Sequence, residues 1–123
     1  MFAGGYTTPL SKKVSVYDVP TKTWSSHDLS QGRLGIGACR VDKFAVFAGG
    51  SLADNGASDR LDAYDNNNGQ WYSMKLQNKW WPVSAVGAGK KVLIASNASY
   101  NPTGQVMVYA VSNPPPTITP LIP

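Results

Sequence analysis

The stretch that decides the fold is FAGGSLADNGASDRLDAYDNNNGQW, residues 47–71. It repeats the pattern of residues 2–24, FAGGYTTPLSKKVSVYDVPTKTW: a Gly pair after Phe-Ala, then Tyr-Asp, then a Trp six residues after the Asp. The Tyr, the Asp and the Trp recur 47 residues later, and the Gly pair recurs 45 residues later. A period of this length indicates a repeat protein, in which each unit buries its apolar surface against the next unit.

A third and less regular copy follows these two. Residues 80–97 align with residues 33–50, again 47 apart, and residues 105–109 align with residues 60–64 at an offset of 45. This copy lacks the Gly pair and the Asp, and no Trp follows its Tyr. The sequence therefore predicts three consecutive units of the same kind, the last of them altered.

Each copy divides into short runs of strand-forming residues bounded by Gly, Pro, Asn and Asp, which favour turns. A run such as Phe44–Ala48 is apolar throughout, which is typical of a strand buried on both faces. No segment shows the 3.6-residue period of an amphipathic helix. We therefore expect an all-β chain of antiparallel strands. The predicted strands are residues 14–18, 23–29, 34–41, 43–48, 60–65, 70–76, 82–88, 91–96 and 105–111.

These motifs and their spacing resemble kelch repeats. In that family each repeat builds one four-stranded blade of a β-propeller, so the resemblance implies a partial kelch-type β-propeller over residues 1–111, with about two and a half blades. It implies that the Gly pair ends a strand where a neighbouring blade comes close. It also implies that Trp24 and Trp71 are buried between blades. Asp65 is expected to open a turn that Gly69 completes with a positive φ.

The predicted strands leave the propeller incomplete. They begin with a second blade strand and stop after a third one, whereas a propeller needs about four to eight complete blades. Identical copies are not expected to close a ring, because the strand that ends one copy does not match the strand that begins the next. We expect a longer polypeptide, other subunits or a protein partner to cover the open ends, so that the chain is not a free monomer.

The residues after the repeats, 112–123, differ in composition. Five prolines lie between residues 113 and 123, and proline cannot donate to a strand ladder, so this tail is expected to be an extended Pro/Thr-rich linker or stalk. Asn97-Ala98-Ser99 is an N-glycosylation sequon in a predicted loop. The tail and the sequon favour an extracellular or cell-surface location over a cytoplasmic one.

The chemical inventory argues against catalysis. His27 is the only histidine and is expected at a solvent-facing strand edge; Cys39 is the only cysteine and is expected to be a buried structural thiol. Kelch-type copper oxidases use a Cys–Tyr cross-link and two histidines, so the resemblance implies no copper site. Asp65 could start a calcium loop, but the twelfth position holds Leu76 instead of the Glu that an EF-hand needs. We expect no enzyme activity, no metal and no cofactor.

The distribution of charge and of apolar residues excludes two further classes. The net charge is +4, but the basic residues are scattered and form no stripe of the kind that nucleic-acid binders use. No stretch approaches the roughly 18 apolar residues of a membrane span. Neither nucleic-acid binding nor membrane insertion is expected.

The resemblance points to one binding face. In kelch propellers the loops between the second and third strands of a blade, here 4–13, 49–59 and 97–104, lie on the same face as the loops between blades, here 30–33 and 77–81. We call this the loop face and expect it to bind a protein partner. The side chains expected there are Tyr6, Lys12, Lys13, Arg33, Asp54, Asn55, Asp59, Arg60, Asn78, Lys79, Trp80, Trp81, Tyr100 and Asn101.

The function expected from these observations is that of a non-catalytic binding scaffold. The alternative is an extracellular carbohydrate-binding or structural module, glycosylated at Asn97 and carried on the Pro/Thr-rich tail. An enzyme whose catalytic residues lie in further blades stays open as a third possibility, because fold alone does not fix function.

Overall fold

The computed structural model describes residues 1–54, 56–80, 82–96, 106–112 and 116–121, and this part of the chain is built of β-strands. The strands are β1 (Phe2–Ala3), β2 (Lys13–Asp18), β3 (Thr23–Asp28), β4 (Gly37–Val41), β5 (Phe44–Ala48), β6 (Ser58–Asp65), β7 (Trp71–Trp80), β8 (Pro82–Ala88), β9 (Lys91–Ser96), β10 (Val106–Val111) and β11 (Ile118–Leu121). The described residues contain no helix, and so none that is long and apolar enough to span a membrane.

The strands of the described residues form three antiparallel sheets in which each strand pairs with the next one along the chain. Sheet 1 has the order β1-β2-β3, sheet 2 the order β4-β5-β6-β7, and sheet 3 the order β8-β9-β10-β11. Such meanders follow from short strand-forming runs joined by short connections, because pairing with the next strand along the chain has a small loop-closure cost. The prediction of an all-β, antiparallel fold is confirmed.

The sequence period is also a structural period. Tyr17 pairs with Trp24 across β2 and β3, and Tyr64 pairs with Trp71 across β6 and β7. The ring centroids are 5.0 Å apart in the first pair and 5.1 Å apart in the second. Cross-strand aromatic pairs of this kind contribute about 0.2–1 kcal/mol each to a sheet. In sheet 3 the third Tyr pairs with Pro120, which stands where the other sheets have Trp.

The turn after Asp65 forms as predicted. One carboxylate oxygen of Asp65 accepts a hydrogen bond of 2.8 Å from the backbone N–H of Asn67. Gly69 has a φ of 72° and donates its N–H to the Asp65 carbonyl at 2.8 Å. Lys22, 47 residues earlier, has a φ of 55° in the equivalent turn. Both turns thus have a residue in the left-handed region at the equivalent position, although only one of them has glycine there.

The Gly pairs have the backbone conformation that the repeat required. Gly4 and Gly49 have φ values of 78° and 65°, and Gly5 and Gly50 have values of 134° and 123°. A Cβ on Gly50 would lie 3.0 Å from the Cβ of Arg33. Positive φ and this close approach both exclude larger residues there.

Apolar side chains fill the spaces between successive sheets. β4 packs against β8, and β7 contacts β11, so strands at the same position in sheets 2 and 3 lie on each other. The layer between sheets 1 and 2 holds Val14, Leu29 and Phe47, with Trp71 partly buried beside them. The layer between sheets 2 and 3 holds Val41, Phe44, Val46, Ala48, Leu61, Ala63, Leu76, Val92, Ile94, Tyr109 and Val111.

The end of the chain differs from the expected linker. Residues Ile118–Leu121 form β11, which pairs with Val108–Val111 of β10, so sheet 3 has an outer strand and the prediction that it lacks one was wrong. A strand that contains Pro120 is tolerated because β11 lies at the edge of the sheet, where a missing N–H need not break a ladder.

The prediction for Trp24 was wrong as well, and the prediction for His27 holds only in part. Trp24 is 61% exposed, because no described residue covers the face of sheet 1 on which it lies. His27 is half-buried, and its ring lies 5.6 Å from that of Tyr64 and 5.9 Å from that of Trp71. His27 therefore lies on an edge strand, as expected, but its ring belongs to the contact between sheets 1 and 2 and is partly covered by it.

Candidate binding surface on the loop face

Two loops of the loop face lie side by side and enclose a cleft. They follow β1 and β5, the strands that end at the Gly pairs, and the cleft between them has a volume of about 210 Å³. We call it the loop cleft. Its described lining residues are Tyr6, Thr7, Thr8, Pro9, Leu10, Leu34, Ser51, Leu52 and Ala53.

Backbone hydrogen bonds hold the described part of the second loop, residues 49–54, 56 and 57. The Ser58 N–H donates to the Gly50 carbonyl at 2.8 Å and closes the loop at its base. Leu34 and Ser51 exchange two bonds of 3.0 and 2.7 Å, which join this loop to the connection between sheets 1 and 2. Backbone bonds of this kind lower the cost of ordering the loop on binding.

A buried ion pair lies beneath the loop face. The guanidinium of Arg33 is 0% exposed; its Nη2 contacts the Asp62 carboxylate at 2.5 Å, and its Nη1 donates to the carbonyls of Gly49 at 2.7 Å and Arg60 at 2.8 Å. The same Asp62 oxygen accepts bonds from the N–H of Ser30 at 3.2 Å and from its hydroxyl at 3.0 Å. The pair thus joins the connection between sheets 1 and 2 to both ends of the second loop.

The prediction that Arg33 is an exposed contact residue was therefore wrong. A guanidinium presents several donors in a fixed fork, which suits the carboxylate and the two carbonyls that converge here. Burial lowers the pKa of Arg33, although the neighbouring Asp62 acts in the opposite direction. The guanidinium stays charged at neutral pH, because arginine is effectively always protonated in proteins. Arg33 supports the loop face from inside.

The other predicted contact residues fall into four groups. Exposed side chains are those of Tyr6, Lys12, Lys13, Asp54 and Lys79, and partly exposed ones on β6 are those of Asp59 and Arg60. Asn78 and Trp80 lie on β7, and their side chains are outside the description. Asn55, Trp81, Tyr100 and Asn101 lie outside the described residues, as does the proposed glycosylation site Asn97. Residues 77–80 are strand instead of the expected loop.

The structure brings only some of these residues together. Tyr6 is 81% exposed and lines the loop cleft. The second loop contributes Ser51, Leu52 and Ala53 to the lining, and Ala53 directly precedes Asp54. Lys12 and Lys13 both approach the Asp28 carboxylate, at 3.8 and 2.9 Å. The bond from Lys13 is the main reason that the pKa of Asp28 lies below its ordinary value. These lysines form surface ion pairs, which contribute little to stability.

Sequence reasoning missed the apolar part of the cleft. Leu10, Leu34 and Leu52 are half-buried in its lining, which also contains the aromatic ring of Tyr6 and the hydroxyls of Thr7 and Thr8. Leu10 and Leu52, apolar residues within predicted loops, were the available signal, whereas Leu34 belonged to a predicted strand. An apolar floor with hydroxyl groups around it can accept an apolar side chain and bond the backbone that carries it.

Cation binding has no comparable support. Among the residues that the structure describes, no three His, Cys, Asp or Glu side chains group closely enough to hold a metal ion. The single thiol, Cys39, is half-buried in β4, and burial raises its pKa to about 11. A thiol with such a pKa is mainly protonated at neutral pH and is a poor nucleophile.

No model of a known protein family matches this sequence, and no curated protein matches it. The resemblance to kelch repeats thus depends on the quoted motif and its spacing.

Proposed function

We propose that this chain is a non-catalytic kelch-type repeat module, that its sheets are blades of a β-propeller, and that it binds a protein partner through the loop cleft. Three successive meanders that pack face to face support the propeller. The Tyr–Trp pairs and the left-handed turn positions, each 47 residues apart, support it further.

The observation that carries the proposed function is the loop cleft itself. Tyr6 leaves 81% of its surface in contact with solvent beside a half-buried apolar floor. Tyrosine is enriched at protein interfaces because its ring adds apolar area at a small entropic cost and its hydroxyl can still bond. A cleft of about 210 Å³ has room for roughly one large side chain. The matching partner is an extended segment of a protein with one apolar anchor residue.

The test uses a phage-displayed library of random dodecapeptides selected on the immobilised chain. Selected peptides are synthesised, and their affinities are measured by calorimetry for the wild type and for Leu52→Asp and Tyr6→Ala. Each variant is expected to weaken binding tenfold or more, since a loss of about 1.4 kcal/mol corresponds to a factor of ten. Circular dichroism checks that both variants fold.

The matched control is Val19→Asp. Val19 is 71% exposed and lies in the turn after β2, at the opposite end of the strands from the loop cleft. The control is expected to bind like the wild type. Peptides that bind all three variants equally well, or a selection that yields no binder, would contradict the proposal.

The alternative of carbohydrate binding has one observation in its favour, which is the same exposed ring of Tyr6. A flat aromatic face can also stack on a sugar. A glycan array probed with the wild type and with Tyr6→Ala separates the two functions: sugar binding that the substitution abolishes would replace the protein-binding proposal. A glycan found at Asn97 by mass spectrometry of secreted native protein would favour the same alternative.

A further inference from the structure

A cluster of exposed aromatic side chains covers one face of sheet 1. Phe2 is 70% exposed, Trp24 is 61% exposed and Tyr17 is 40% exposed. The ring centroid of Trp24 lies 6.2 Å from that of Phe2 and 5.0 Å from that of Tyr17. We call this cluster the aromatic face. A contiguous apolar cluster of this kind on a surface marks an interaction site.

The chain contains a covered copy of the aromatic face. Phe47, Tyr64 and Trp71 occupy the equivalent positions in sheet 2, with Trp71 lying 6.0 Å from Phe47 and 5.1 Å from Tyr64. Sheet 1 covers this copy: Val14 is fully buried in the same layer as Phe47, and the His27 ring contacts the other two rings. Within this chain, such a cluster is thus covered by the face of the neighbouring sheet, which is another copy of the repeat.

Sheet 3 presents an outward face of that kind. Val86 and Val106 are 56% and 62% exposed, and Val108 is partly exposed on the same face. We call these three residues the aliphatic face. Their counterparts in sheet 2, Leu61 for Val106 and Ala63 for Val108, are only 0% and 1% exposed, because sheet 3 covers them. The aliphatic face is therefore similar in composition to the face of sheet 2 that sheet 3 covers.

We propose that two copies of this chain bind head to tail, with the aliphatic face of sheet 3 of one copy on the aromatic face of sheet 1 of the other. The occupant is a second copy because the two open faces are the repeat counterparts of faces that already meet between sheets 1 and 2 and between sheets 2 and 3. β11 allows this contact because it is the outer strand of sheet 3. In sheet 2 the equivalent outer strand, β7, contacts the next sheet.

The contact is heterologous: it joins two different surfaces, so a pair of copies still has one open face of each kind. Assembly can therefore continue to a closed ring or to a longer stack. This property makes the arrangement testable, because a variant that lacks one face keeps the other face intact.

The experiment compares Trp24→Lys, which removes the aromatic face, with Val106→Lys, which removes the aliphatic face. Sedimentation velocity at one protein concentration measures the mass of each. The wild type is expected to associate, and each variant alone is expected to be a monomer. An equimolar mixture of the two is expected to form a dimer and nothing larger, because only one productive contact remains. Val19→Lys, at an exposed turn, is the control and should associate like the wild type.

Several results would overturn the proposal. A monomeric wild type would do so, and so would a mixture in which the two variants stay monomeric. If Trp24→Lys is monomeric while Val106→Lys still associates, the aromatic faces bind each other instead. Phe2→Ser and Val86→Lys, also at exposed positions, repeat the test if either first variant does not fold. The proposal is independent of the loop cleft, so Leu52→Asp should leave the association unchanged.

Discussion

Replacement of Arg33 by leucine tests whether the buried ion pair holds the loop face together. The substitution removes the donors that bond the carbonyls of Gly49 and Arg60 at 2.7 and 2.8 Å. It also leaves the Asp62 carboxylate, whose side chain is 3% exposed, with the two bonds from Ser30 as its remaining hydrogen bonds among the described residues. Removal of one partner of a buried ion pair costs about 3–5 kcal/mol, because the other charge stays buried without compensation.

That cost is large compared with the total stability of a domain, which is about 5–15 kcal/mol. For a chain of this size we expect the midpoint of thermal unfolding to fall by about 10 °C or more. Urea denaturation followed by tryptophan fluorescence measures the free energy of unfolding. All variants are compared at one protein concentration, since self-association would shift the apparent stability.

The double variant Arg33→Leu with Asp62→Leu separates the lost charge pair from a simple packing defect. It removes the isolated carboxylate, so it should recover the part of the loss that comes from the uncompensated charge, while the loss of the bonds to the carbonyls remains. Arg40→Leu is the matched control, because Arg40 is exposed and bonds only the carbonyl of Asp42 among the contacts described for its side chain. That control should stay within about 0.5 kcal/mol of the wild type. A single variant that loses less than about 1 kcal/mol, or a double variant as unstable as the single one, would refute the reasoning.

Three further predictions concern packing, acid and thiol reactivity. Gly87→Ala should lower the free energy of unfolding, measured by urea titration, by about 3 kcal/mol, because its Cβ would lie 1.7 Å from the carbonyl oxygen of Arg40 in β4. Gly89→Ala should lower it by only about 1 kcal/mol, because its Cβ would meet no atom within 4 Å and only the φ of 60° is unfavourable. Desolvation raises the pKa of Asp65, but hydrogen bonds from backbone amides and from Lys43 outweigh it and the net pKa is lowered. Its stabilisation is therefore present above the unfolded pKa of about 4 and is lost as the pH falls further, so urea midpoints measured from pH 6 to 2.5 should depend less on pH in Asp65→Asn. Cys39, whose pKa is raised to about 11, should react with an aromatic disulfide reagent at pH 8 much more slowly in the folded protein than in urea, and equal rates would contradict its burial.

The sequence period predicted local structure well, because local structure follows from residues that recur. Tyr17 and Tyr64 each pair with the Trp seven residues later, as the shared spacing implied. The left-handed backbone also recurs where the residue type does not: Asp42 has a φ of 54° and Gly89, 47 residues later, a φ of 60°. The turn geometry is set by the meander, and glycine is one of several residues that can occupy it.

The Arg33–Asp62 pair could not be predicted from the period. Trp80 stands at the position of Arg33 in the next repeat, and Ser15 and Met107 stand at the positions of Asp62 in the other two. A comparison between repeats therefore carries no information about this contact. An arginine in a predicted loop favours an exposed position on composition alone, and only the convergence of a carboxylate and two carbonyls makes its burial favourable.

The tail was mispredicted for a different reason. Its proline content predicted that no ladder strand forms there, and that prediction was wrong, because an edge strand of four residues tolerates a proline. Composition could not distinguish a linker from an edge strand, because the deciding factor is the open edge of β10. Val108–Val111 of β10 offer that edge to β11. In the other two sheets the equivalent strands, β2 and β6, pair with β3 and β7.

Trp24 and Trp71 show what a repeat motif can and cannot determine. Their cross-strand pairs with tyrosine are nearly identical, with ring centroids 5.0 and 5.1 Å apart, yet Trp24 is 61% exposed and Trp71 is partly buried. The local sequence fixes which side chains share a face, whereas burial depends on whether another sheet lies against that face. Sheet 1 supplies that cover for Trp71. For Trp24 the described chain supplies none, although the aliphatic face of sheet 3 has the side chains to do so. The exposure of Trp24 is therefore better explained by an unfilled contact of the repeat than by a surface role of the residue, and the mixture of the two face variants decides between these explanations.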